Sequence, residues 1–296
     1  MDYGTAIILG TAAGTAARFL MLRSDYRQYP TYPHGHVTHL SLGFIAAFLG
    51  AVAVPALEAR EFTAVTFLAL AAQEFRQIRD MERRMLEKLE EEELVPRGAD
   101  YIEGIARTFE ARNYLAMLVA LVSSSLTGLW GWPAGLAGAA AATAVAVRFF
   151  MRGEMVGDIA EVVPARAWFD GAFLKVGEVV MMNVGLPQAR EKLLREGLAV
   201  AIKPKNDNAR ATLHNRGQRQ AIVHTAAALI GTKREIGEPD WAPLARKNVD
   251  TGEIALFILP AEPDLPALIE AVKRVPVLES AKRRPLATAA GRLAQD

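Results

Sequence analysis

Four stretches of this chain are longer and more apolar than a water-soluble core requires. Tyr3 to Leu22 is twenty residues interrupted only by Arg18, and Thr38 to Leu57 is twenty residues without Asp, Glu, Lys or Arg. Asn113 to Trp132 is another twenty without such a charge, and Ala134 to Met151 is eighteen with Arg148 alone. At about 1.5 Å per helical residue, each can cross roughly 30 Å of hydrocarbon. Arg18 and Arg148 lie near run ends, where a long side chain is expected to snorkel to the headgroups. Met1-Asp2-Tyr3 lacks the basic leader of a cleavable signal, so the first run is expected to be retained.

A fifth crossing is expected over Phe62 to Asp80, although Phe62 to Gln73 gives only twelve uncharged residues. With that crossing, Arg23 and Arg27, the Arg76/Arg79/Arg83/Arg84 cluster, Arg107, Arg112 and Arg152 all fall on one side; without it the first pair is opposed to the rest. The sequence therefore predicts about five spans, with the N-terminus outside and the C-terminus inside. The outer face would carry the Trp130-Gly131-Trp132-Pro133 turn, whose tryptophans suit a membrane interface. Gly10 and Gly14 form a GxxxG pair, and Gly135, Gly138 and Ala139 to Ala142 make the last span nearly all small, which favours close helix packing. Ser123 to Ser125 with Thr127 is the polar stretch inside a span, and its expected use is interhelical or backbone hydrogen bonding.

Beyond the third crossing, Phe75, Ile78, Met81, Met85 and Leu89 recur at helical spacing, so an amphipathic cytosolic helical stretch is expected over 74–112, its first rod running to about Leu94. Glu90 to Glu93 sit badly with a helix C-terminal dipole and read as a solvated end, the alternative being a docking patch for a basic surface. After the Pro96-Arg97-Gly98 break, Asp100 is expected to cap a helix in which Glu103 and Arg107 stand four apart. Here Tyr101-Ile102-Glu103-Gly104-Ile105-Ala106 resembles the signature hexapeptide of the YIEGIA family, membrane proteins of endospore-forming bacteria. The resemblance implies a role connected with sporulation, no established enzymatic activity, and a small companion described as a capping-complex subunit. It supplies no catalytic residues, so Glu103, Arg107 and Glu110 stand as candidates for an assembly or polar network.

The charges are balanced: 14 basic and 15 acidic residues precede Gly153, and 20 and 18 follow it, so no nucleic-acid partner is expected. Past Gly153 the periodicity changes. Ile159 to Phe169 and Ala172 to Asn183 read as strands joined at Asp170-Gly171, and Leu198 to Lys203 and Ile254 to Leu259 as buried strands. Helices are expected over Pro187 to Glu196, Ala221 to Ile230 and Leu265 to Lys273, the last capped by Asp264. The expected organisation is a transmembrane domain at 1–152, a cytosolic α/β domain at 153–280 built on one sheet, and a basic tail at 281–296.

Zero cysteine removes thiolate chemistry and disulfides. Lys203, Lys205, Arg210, Arg216 and Arg219 surround a helix start and are candidates for an anion, lipid or partner patch, without the glycine spacing of a phosphate-binding loop. His34, His36 and His39 are close enough to be weak metal candidates, but no further ligand is fixed, and no cofactor is expected. No Ser-His-Asp or paired-carboxylate arrangement can be assigned, so the chain reads as a non-enzyme. The expected function is a structural subunit of a homo-oligomeric multi-pass complex in the cell membrane, with the forespore or spore inner membrane as the implied setting and the C-terminal domain cytoplasmic. The alternative is a transport or channel component. Expected partners are further copies of the chain, the capping subunit and membrane lipid.

Overall fold

A computed structural model describes residues 3–25, 35–150, 153–235 and 238–294. The chain divides into two units, Met1–Leu86 with Ile105–Gly153, and Glu87–Gly104 with Glu154–Asp296. The first unit is helical: α1 (Tyr3–Asp25), α2 (Gly35–Glu58), most of α3 (Phe62–Leu89), the greater part of α4 (Ala99–Trp130) and α5 (Trp132–Phe150). Among the described residues, three helices are long and apolar enough to cross a membrane: Tyr3–Arg23, Gly35–Glu58 and Ala99–Trp130. Helix α3 is amphipathic; its Phe75 packs with Ala46 and Leu49 of α2, beside Met117 of α4.

Small residues set the helix spacing. A methyl group at Gly10 would lie 2.8 Å from the Ala120 carbonyl oxygen, and one at Gly14 2.6 Å from that of Ala116, so α1 lies backbone to backbone on α4. At Gly50 the same test meets the Met117 carbonyl oxygen at 2.1 Å. The Ser124 hydroxyl donates to Ala51 O across this contact at 2.7 Å, while Ser125 and Thr127 bond back to Leu121 O and Ser123 O within α4. Gly131, at φ +86°, reverses the chain between α4 and α5, and Gly135 then packs on Thr127.

The helix expected to run to Leu94 ends at Leu89, and 74–112 holds two helices separated by a 3-10 turn, Glu90–Glu92, and a non-helical strap to Gly98. Four carboxylates at a helix C-terminus oppose the dipole, and the chain escapes by turning. Glu90 is buried instead of solvated, and accepts from both the backbone N–H and the guanidinium of Arg97.

After its Glu87–Gly104 segment, the second unit resumes with α6 (Val156–Ile159) and β1 (Ala160–Pro164), followed by β2 (Ala167–Asp170), β3 (Phe173–Val176) and β4 (Val179–Asn183). Then come α7 (Pro187–Glu196), β5 (Leu198–Pro204), α8 (Asp207–Leu213), α9 (Arg216–Ile230), β6 (Arg234–Glu235), β7 (Glu238–Pro239), β8 (Leu244–Lys247) and β9 (Ile254–Ile258). Helices α10 (Leu265–Lys273) and α11 (Ala289–Leu293) complete it. The single sheet expected is three among the described residues: β1-β5-β9-β8, the meander β2-β3-β4, and the pair β6-β7, all antiparallel. The unit is therefore α+β in pairing, not a parallel α/β sheet. The Ile159 to Phe169 run is cut at Ala165-Arg166, where the chain leaves one sheet for another. Gly171 (φ +59°) and Gly177 (φ +56°) open the two tight turns of the meander, each at the first turn position where a II′ hairpin wants glycine.

Strand β9 is buried at every position, and Phe257 packs so closely on Gly197 that a methyl group there would stand 2.4 Å from its ring. Asp264 caps α10, accepting from Ala267 N at 2.9 Å. Residues past Ala281, which lose periodicity in the sequence, are tied to α8: Thr212 Oγ1 accepts from Arg283 N and Asn208 Oδ1 from Leu286 N.

Candidate functional site

The hexapeptide lies in the opening turns of α4, and the division between the two units falls between its Gly104 and Ile105. Its entry is fixed from α9. His224 Nδ1 donates to Val95 O at 2.6 Å, and Gln220 Nε2 donates to Pro96 O at 2.6 Å. Gly98, at φ +80°, turns the strap into the helix, and its carbonyl accepts from the N–H groups of Tyr101 and Ile102. Gly98 thus stands where Asp100 was expected to cap. Asp100 lies inside the first turn and pairs instead with Arg216 at 3.3 Å.

Five of the six hexapeptide residues are buried. Tyr101 and Ile102 are buried, as are Ile105 and Ala106. Gly104 is buried against Ser280, whose Oγ would be 2.4 Å from an added methyl. Glu103 alone is half-buried, and Arg107, one turn on, is exposed. Of the three network candidates, Glu110 has its partner on another helix: it accepts from Arg79 of α3 at 3.3 Å.

The first unit holds a polar cluster that sequence reasoning missed. Arg18, expected to snorkel, is wholly buried: its Nε donates to Asn113 Oδ1 at 3.2 Å and its guanidinium lies 5.7 Å from the Phe109 ring centre. On the same ring, at 4.7 Å between centroids, lies His39, whose Nε2 is 3.2 Å from Glu82 Oε1. Arg112 is also buried. Gly43 makes room, since a methyl group there would lie 2.3 Å from Arg18 Cγ. A signal was present: Glu82 follows Phe75 and Ile78 at helical spacing, a carboxylate on the apolar face of α3.

The basic candidates disperse. Lys203 pairs with Glu253 at 3.7 Å; Lys205 Nζ donates to the carbonyls of Gly157 and Asp158; Arg210 donates to Val249 O at 2.8 Å. Arg216 and Arg219 line one cleft, of about 340 Å³, bounded also by Asp100, Gln220 and Leu244. Burial, then the charge of Arg216, lowers the Arg219 pKa. His34 lies outside the described residues, His36 is exposed, and His39 belongs to the buried cluster. Among the described residues no three His, Cys, Asp or Glu are grouped to hold a metal ion.

The family model for the YIEGIA protein matches residues 6–288 of the chain. A Bacillus subtilis (strain 168) relative, described as uncharacterized protein YphB, is 44% identical over 284 residues, which cover 96% of this chain and 95% of the relative. No solved structure matches.

Proposed function

The chain belongs to the YIEGIA family, and on that premise we propose that it is a structural subunit of a large homo-oligomeric membrane complex, associated with sporulation and capped by a small companion protein. The observation that carries this reading is the packing of α1, α2 and α4 through Gly10, Gly14 and Gly50, with the hydroxyls of Ser124, Ser125 and Thr127 all bonded to backbone carbonyls. Lipid offers helices no hydrophobic drive to associate, so close backbone approach is what a rigid bundle needs. In this reading the bundle has five spans. The turn at Arg60 (φ 55°) sends α3 back along α2, and the turn at Gly131 sends α5 back along α4. The N-terminus is then outside, and the second unit is cytoplasmic beneath the cell membrane or the forespore or spore inner membrane. The role is non-enzymatic, and the partners are further copies, the companion and lipid.

Light scattering of the detergent-extracted full chain tests it. A particle of several protomers supports the reading, and a monomer at every concentration overturns it. The second reading, a transport component, draws on the Arg18, His39, Glu82 and Asn113 cluster, because ionisable groups inside membrane bundles often mark pathways. Proteoliposome flux that His39→Ala or Glu82→Gln abolishes while the particle stays intact would select transport over scaffold.

A further inference from the structure

The strap before α4 forms one wall of a cavity of about 430 Å³ whose other wall is the C-terminal end of α9. Its lining includes Glu93 and Val95 from the strap, His224 and Ala228 from α9, Thr232, and Ala261 beyond β9. The volume is in the range of small-ligand sites. Three polar features converge on it: a hydroxyl that can accept, and an imidazole nitrogen and a negative helix end with a carboxylate that favour a cation or a hydrogen-bond donor. Thr232 is 6% exposed, and its buried hydroxyl oxygen has no hydrogen-bond partner among the described residues. His224 is 7% exposed and is held through Nδ1 by the Val95 carbonyl, which can only accept. That bond places the proton on Nδ1 and leaves Nε2 as the acceptor of the neutral ring. Finally, α9 ends here with the negative pole of its dipole, and the Glu93 carboxylate stands on the cavity wall. Nearby Arg97 is already engaged by Glu90 and lies 3.9 Å from Glu93, so local charge is one positive against two negative. The remaining surface, Leu94, Val95, Ala227, Ala228 and Ala261, is apolar.

We infer that this cavity binds a primary ammonium group carried on an apolar stem. The stem lies along the alanines and Val95, and the ammonium donates to Thr232 Oγ1, His224 Nε2 and Glu93. A free alkylamine and the lysine side chain of a partner protein present the same chemistry. Burial lowers the His224 pKa, which keeps the ring an acceptor at neutral pH.

The test is calorimetric titration of the full chain in detergent with three probes: n-butylammonium, N-acetyl-lysine-amide and the neutral 1-pentanol. Saturable binding of n-butylammonium identifies a free amine as sufficient. Saturation by the lysine probe with none by n-butylammonium identifies a partner's lysine. In either case Thr232→Val and Glu93→Gln, which leave the His224–Val95 bond in place, should each weaken binding at least about tenfold, since each removes a bond to a charged donor. Absence of saturation by both amines, equal binding of 1-pentanol, or undiminished binding in both variants overturns the assignment.

Discussion

Gly50→Ala is expected to destabilise the helical unit even though alanine is the better helix former. In a helix interior the exchange gains about 1 kcal/mol. Against that, the new methyl would sit 2.1 Å from the Met117 carbonyl oxygen, 2.9 Å from its carbonyl carbon and 3.0 Å from its Cα. All three are backbone atoms, so no rotamer change relieves the contact and α2 must move from α4 by about 1 Å. Overpacking of this kind costs about 1–3 kcal/mol. The same displacement stretches the Ser124 hydroxyl bond to Ala51 O, one residue along from Gly50, now 2.7 Å. Losing an interhelical bond of this type costs about 0.6–2 kcal/mol. The contact and the bond together outweigh the propensity gain, leaving a net loss of about 0.6–4 kcal/mol.

The measurement is reversible unfolding in a mixed-micelle titration, followed by the fluorescence of Trp130 and Trp132 in a background in which Trp168 and Trp241 are replaced by Phe. Two comparisons sharpen it. Gly104→Ala meets only the Ser280 hydroxyl, the rotatable end of a short side chain, at 2.4 Å, so its clash is relieved and its net effect should be within about 1 kcal/mol of zero. Gly185→Ala meets nothing within 4 Å and should be silent. A Gly50→Ala protein as stable as the parent would refute the argument that backbone contact sets the spacing of α2 and α4.

The remaining predictions are these. Single-cysteine probes in this Cys-free chain should label from outside at Ala59 and Gly131 and not at Ser24, Ala99 or Ser280; reaction at Ala99 in sealed cells would remove α3 from the set of spans. Burial lowers the pKa of His224, so the folded state favours the neutral ring and the unfolded chain binds more protons; the stability of the strap is full above about pH 6.5 and is lost as pH falls through the folded value. Hydrogen-exchange protection at Ala228, His224 and the Tyr101 amide, with the intrinsic base-catalysed rate divided out at each pH, should fall between pH 7.5 and 5.5, less so in His224→Gln, and protection factors that stay constant in the parent would count against it. Gly197→Ala should unfold the second unit at markedly lower temperature, because the methyl meets both Leu193 O and the Phe257 ring at 2.4 Å; an unchanged melting curve would show that the sheet can yield there.

Where structure is local, the sequence discloses it. Proline at the first turn, apolar spacing and Asp264 as cap mark α7 and α10 with their observed ends. The uncharged runs likewise coincide with long helices. Two kinds of feature were not legible. Lys203 to Arg219 reads as surrounding one helix start, whereas Asn206 and Asn215 each accept a helix N–H and begin two helices, α8 and α9, back to back. The same chemistry serves turn and cap, and only the tertiary seat decides. The second kind is long range. Arg18 and Asn113 are 95 residues apart, and His39 and Glu82 are 43 apart. Periodicity reports that a face is covered but not by what, so a charge on an apolar face is visible while its partner is not.

The placement of that buried cluster along the helices bears on what the bundle does. Arg18 precedes the end of α1 by two turns and His39 lies in the first turns of α2, so both stand toward the ends joined through 26–34. Glu82 is in the last turns of α3, and Asn113 belongs to the first half of α4. The four meet around Phe109 and are therefore at one level of the unit. From Arg18 to Gly10 the axis rises roughly 12 Å, and there the neighbours are Ala120, Ala51 and Ser124. Large polar side chains thus collect toward one end of the bundle, while its middle is built of Gly, Ala and Ser in backbone contact. A transporter of the usual construction places its charged or broken-helix site near the midplane, where access alternates. A scaffold has a different need: a close-packed centre, and at the boundary with water a paired set of charges whose desolvation is least costly and whose geometry fixes which helices meet. Under the structural-subunit proposal the buried cluster would serve the second need, with Gly43 as the small residue that makes room for Arg18 between α1 and α2.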